Sequence, residues 1–80
     1  MRIRYQVGGE CLLALTAPCG HLPLEGTTII FVDPATEHQH GWIVAWVEQV
    51  ILVRQSTTAE ESPCTYQSTG DIEYIVHLRP

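Results

Sequence analysis

Two groups of residues in this chain have side chains suited to chemistry. The first is Cys19-Gly20-His21 together with His38-Gln39-His40. In each triplet the two donors stand two residues apart, which sets both on one side of an extended segment. Thiolate and imidazole are the ligands zinc prefers, and Cys19, His21, His38 and His40 supply enough of them for a tetrahedral site. Cys64 is a further donor able to replace one of the four. A metal would also stabilise a domain too small to rely on its core alone. Both triplets fall in polar segments, where histidine is an ordinary solvated residue. No two cysteines take the C-x-x-C spacing that marks zinc sites most specifically. Zinc is the one cofactor these residues would accommodate, and no other cofactor is indicated.

The second group is a ligand pocket formed by Glu73, Tyr74 and His77 near the C-terminus, with Trp42 or Trp46 across from them. Glu73 and His77 share a strand face by period two, and a carboxylate beside an imidazole is the pairing used in general acid–base work. The same pattern describes the solvated face of an edge strand, where charge discourages sheet-to-sheet association. No serine or threonine sits in a nucleophile elbow, so no catalytic residue is assigned. Trp42 and Trp46 serve equally as an aromatic ligand platform or as anchors of the core and of a subunit interface. A ligand site built on His77 would carry a pH dependence through its imidazole.

The elements that must position these residues centre on Gly41 to Gln55, GWIVAWVEQVILVRQ, which holds both tryptophans and the longest aliphatic run. With period two, Trp42, Val44, Trp46, Val50 and Leu52 share one face with Glu48, and Ile43, Ala45, Val47, Ile51 and Val53 share the other with Gln49. Two apolar faces suit a strand covered on both sides. The β-branched and aromatic content favours strand over helix. Fifteen residues is long for one strand, so Glu48-Gln49 is expected to bend or bulge it. The helical alternative rests on Asp33-Pro34, which resembles an N-cap followed by proline at the first helical position.

Arg2 to Val7 alternates, with Ile3, Tyr5 and Val7 on the apolar side. Gly8-Gly9 signals a two-residue hairpin turn. Glu10 to Thr16 returns with Cys11, Leu13 and Leu15 facing inward. Ala17 to Gly26 reads as a loop, Thr27 to Val32 as a strand, and Asp33 to Gly41 as a loop. Ser56 to Gly70 is polar and reads as a long loop, mobile at 57–62. Asp71 to Leu78 is the last strand, with Ile72, Tyr74, Val76 and Leu78 on one side.

These elements predict a mostly β fold, a small antiparallel barrel or curled sheet of the SH3-like kind, in a single domain over 1–80. The alternative is an α+β fold with a helix over 34–54 lying on a four-stranded sheet. The stretch Gly41-Trp42-Ile43-Val44-Ala45-Trp46 resembles a short strand of the plasmid-borne type II dihydrofolate reductases. That family implies a small barrel that gains an active site by assembling as a tetramer. The likeness covers six residues, and where that family carries Gln-Ile-Tyr this chain has Glu73-Tyr74-Ile75, which leaves the reductase chemistry without its motif.

Net charge is −5 with four arginines and no lysine, so no basic stripe exists to meet nucleic acid or an anionic membrane surface. Hydrophobic residues make up 45% of the chain against 16% charged, a surplus expected to cover a second copy of the chain or a ligand. Three cysteines cannot all pair internally, which points to a reducing cytoplasm. Arg2 and Arg4 before the apolar run 11–17 form too poor a leader to read as a signal peptide. The function expected is a self-associating, non-catalytic binding domain with a protein or small-molecule partner. The alternatives are a ligand or enzymatic site at an oligomer interface, and a zinc-stapled module.

Overall fold

The computed structural model describes residues 1–17, 22–55 and 65–80, and over these the ordered elements are all strands. They are β1 (Arg2–Val7), β2 (Glu10–Thr16), β3 (Thr28–Asp33), β4 (His38–Gln55) and β5 (Tyr66–Arg79). Together they form one sheet in the order β2-β1-β5-β4-β3, curled into a half-barrel. The curled sheet is as expected, but it is mixed, because β1 runs parallel to β5 while the other pairs are antiparallel.

The helix over 34–54 is not formed. The Asp33-Pro34 signal is used by a turn instead. Asp33 Oδ1 accepts a hydrogen bond from the Ala35 N–H at 3.0 Å, and Thr36 Oγ1 accepts one from the His38 N–H at 3.4 Å. Glu37 then adopts φ 59°, which reverses the chain into a hairpin. The loop predicted over 33–41 therefore shrinks to 34–37, and β4 begins at His38. The Gly8-Gly9 hairpin forms as expected, with both glycines at positive φ (55° and 86°), the backbone of a type I′ turn.

The concave face holds the core. Ile3, Val44, Val76 and Leu78 are buried, drawn from β1, β4 and β5. Tyr5, Phe31, Trp42, Val47 and Tyr74 pack around them, half-buried. Tyr5 on β1 meets Phe31 on β3 edge to face, ring centroids 6.1 Å apart, although β5 and β4 lie between their strands. That contact spans the curl of the sheet.

Three irregularities set which face each side chain takes. In β4, Val44 lies opposite Leu78 while Trp46 lies opposite His77, so Ala45 is an extra residue. The break falls here and not at Glu48-Gln49. Its effect is to move Trp42 and Val44 to the concave face and Trp46 and Glu48 to the convex one, separating the two tryptophans that simple alternation places together. In β2, Tyr5 lies opposite Leu13 and Gln6 opposite Cys11, which makes Leu12 the extra residue. Cys11 is thereby exposed on the convex side, beside Gln6, and does not face inward as alternation predicted. In β5, Ile51 pairs with Ile72 but Val53 with Ser68, leaving Thr69, Gly70 and Asp71 opposite Leu52. Gly70 has φ 87°, and Thr69 Oγ1 donates to the Leu52 carbonyl at 2.7 Å, replacing a lost ladder bond.

That last pairing also corrects the polar loop. Residues 66–70 belong to β5, although nothing apolar beyond Tyr66 marks them. They pair with Val53 to Gln55, where both faces of the ribbon are solvated and no aliphatic alternation is required. Residues 56–64, the rest of the expected loop, lie outside the described residues. Beyond the ends of β1 and β3, β4 and β5 continue as a two-stranded arm, and the molecule extends 58 × 23 × 22 Å.

A core of so few buried side chains makes each one count. Ile3→Ala is expected to cost about 2–5 kcal/mol, measured by urea denaturation at fixed protein concentration. Leu13→Ala, at a partly exposed position on β2, should cost well under half as much in the same measurement.

Candidate functional site

Across the convex face the strand registers align Cys11 on β2, Gln6 on β1, His77 on β5 and Trp46 on β4 in one row. Trp46 stacks on His77 with ring centroids 3.8 Å apart and planes 4° from parallel. Glu48, one pleat further along β4, reaches diagonally so that its Oε1 lies 2.9 Å from His77 Nε2. The imidazole is thus held on one side by an indole and at one nitrogen by a carboxylate. Trp46 remains 50% exposed, so its other face is free to meet a planar group. The Ala45 bulge is what brings this trio together, because without it Trp46 would point into the concave side.

The other members of the predicted pocket do not converge on this point. Glu73 lies further down the same face, where it accepts a hydrogen bond from Arg2 Nη1 at 2.9 Å and sits 3.6 Å from Arg4 Nη2. Two guanidiniums on one face of β1 would repel one another, and the carboxylate between them offsets that. Tyr74 is on the concave face, where its hydroxyl oxygen accepts from Gln49 Nε2 at 3.2 Å. Trp42 is also concave. Of the five residues, the structure brings together Trp46 and His77 and adds Glu48, which the sequence places in the central stretch but not in the pocket. A lone carboxylate inside an aliphatic run is the signal that could have singled Glu48 out.

A second concavity opens at the mouth of the half-barrel. It is a groove of about 430 Å³ between the bulged residue Leu12 and the β3–β4 hairpin. Phe31 and Trp42 form its aromatic floor, and Asp33, His38 and His40 its polar rim. The His40 ring lies against Trp42, centroids 4.2 Å apart and tilted 31°. Leu12 and Phe31 could not be assigned to a site from sequence, since only the curl of the sheet brings them together.

His38 and His40 stand on one face of β4, as their spacing predicted. Cys19, His21 and Cys64 lie outside the described residues. Among the described residues no three side chains of the ligand types are gathered around one point. Zinc therefore has two placed donors here, and none of the chemistry described above passes through it.

Comparison with protein families, curated proteins and solved structures finds no match to this chain. Any functional reading rests on the geometry.

The stack makes a measurable prediction. His77→Ala should cost about 0.5–1.5 kcal/mol of stability, the size of an aromatic pair. It should also remove the near-ultraviolet circular dichroism band that Trp46→Phe identifies as belonging to Trp46. Glu48→Gln, which changes a partly exposed pair, should cost less than about 1 kcal/mol and leave that band in place.

Proposed function

We propose that this protein is a small, non-catalytic interaction domain that works as a homo-oligomer. The observation that carries the reading is the arm. Beyond the half-barrel, β4 and β5 pair only with each other, and Ile51, Leu52, Val53, Tyr66 and Ile72 are exposed on it, Ile51 at 53% and Tyr66 at 60%. A two-stranded ribbon is marginally stable alone in water. One carrying aliphatic side chains on both faces gains most from being covered by another surface. The chain's shortage of charge and its four-residue core point the same way: apolar residues exceed what one copy can bury.

The convex Trp46–His77–Glu48 trio supports binding in preference to catalysis. It is open to solvent on an outward-curved surface, where nothing excludes water from a reacting group. The odd cysteine number and the exposed Cys11 suit a reducing, cytoplasmic setting. No helix among the described residues is long and apolar enough to cross a membrane. The acidic balance argues against nucleic acid as the partner.

A second reading, a small-molecule site, draws on the groove at the barrel mouth, whose aromatic floor and imidazole rim would hold a flat organic molecule.

Native mass spectrometry of the untagged protein tests both readings at once. The expected result is a multiple of the 8.9 kDa chain with no added mass. Ile51→Glu on the arm should shift the distribution to smaller species. A monomer at all concentrations would overturn the oligomeric reading. An added organic mass lost in Trp42→Ala would move the groove to first place.

A further inference from the structure

The sheet of this half-barrel has two open edges, and they differ in kind. The β2 edge is interrupted by the Leu12 bulge and begins at Glu10, devices that turn an edge away from further pairing. The β3 edge has neither. From Thr28 to Val32 it is unbulged, uncharged and free of proline, and Ile30 and Val32 are 57% and 54% exposed.

The direction of its free backbone groups can be read from its first residues. Gly26, with φ 87°, donates its N–H to the Val44 carbonyl at 2.8 Å, and the Thr27 carbonyl accepts from the Val44 N–H at 2.9 Å. Thr27 therefore turns its backbone groups toward β4. Along an extended strand that direction alternates, so Ile29 and Phe31 also face β4, and Thr28, Ile30 and Val32 present their N–H and C=O groups to the open edge. The same three side chains lie on the convex face, because Ile29 and Phe31 pack toward the core. Opposite Ile30 on β4 stands Gly41, which has no side chain to cover it.

We infer that β3 pairs antiparallel with β3 of a second copy about a two-fold axis through Ile30. This rests on the homo-oligomeric reading above and names its interface. In that register Ile30 faces its own counterpart, and Thr28 faces Val32 of the partner at both ends. The free groups of all three residues meet in phase, giving about six hydrogen bonds between the strands. Ile29 lies beside the partner's Phe31 on the concave side, and the partner's Ile30 takes the place that Gly41 leaves empty. A shift by one residue would put concave against convex side chains and misalign the hydrogen-bonding groups. No charged residue lies in the paired segment, so two copies of a chain of net charge −5 meet here without like charges opposed. An isologous contact of this kind closes as a dimer and removes the exposed edge.

The test uses the full chain and two variants, Ile30→Lys and Ile30→Glu, compared by sedimentation velocity with circular dichroism as the check on folding. Each variant sets two like charges together at the axis, and each is expected to weaken self-association by about a hundredfold or more. Mixed in equal amounts, the two should form a heterodimer, because the ammonium introduced in one chain then faces the carboxylate introduced in the other. Wild-type assembly that persists in both single variants would overturn the β3 interface and leave the oligomeric reading intact. Dissociation in both without recovery on mixing would overturn the two-fold register. A wild-type protein that is monomeric throughout would remove both readings together.

Discussion

The antiparallel pairing of β4 with β5 is the interaction on which the rest of this molecule depends. β3 attaches only to β4, β1 pairs with β5, and β2 is reached only through β1. Three of the four buried side chains, Val44, Val76 and Leu78, come from this one pair. Loss of the pairing would leave two separate groups of strands with no shared interior. The functional surfaces depend on it equally, since the Trp46–His77 stack is a cross-strand contact between β4 and β5, and the mouth groove lies where β4 turns back onto β3.

The Ala45 bulge gives that ribbon two different surfaces from one apolar run. On the inner side it supplies Trp42 and Val44 to the core, and on the outer side it supplies Trp46 and Glu48 to the imidazole of His77. An unbroken strand would send both indoles to the same side. The concave face would then have to hold a second indole, and the convex face would lose its one aromatic stack. One extra residue in β4 thus divides packing from recognition.

Much of the architecture was legible in the residues. Alternation in Arg2–Val7 and in 71–78 placed Ile3, Val76 and Leu78 on the buried side, and Gly8-Gly9 marked its hairpin. Those signals are local, and they survive because side-chain alternation is tied to the backbone pleat. What the residues did not disclose is non-local or a matter of one residue. Ala45, Leu12 and the Thr69–Asp71 insertion have no distinctive composition, apart from the glycine at position 70, and each reverses the faces of everything that follows it. The polar start of β5 carries no apolar pattern because it packs on nothing. The site suffered most from this: Trp42 and Trp46, placed together by counting in twos, stand on opposite sides of the sheet, and Glu48 takes the role expected of Glu73.

The parallel contact between the first and last strands has a consequence for how the molecule is made. Arg2 meets Glu73 at a separation of 71 positions along the chain, and Ile3 has no buried neighbour until Val44, Val76 and Leu78 exist. During synthesis the N-terminal hairpin emerges with its apolar side uncovered and must wait for nearly all of the described sheet to be translated. Pairings between such distant segments form slowly, because the loop between them must close before any contact forms. For that interval Leu12, Leu13 and Leu15 are as available to a chaperone or to a neighbouring nascent chain as to their own sheet. The order in which the strands leave the ribosome is thus a hazard written into the topology.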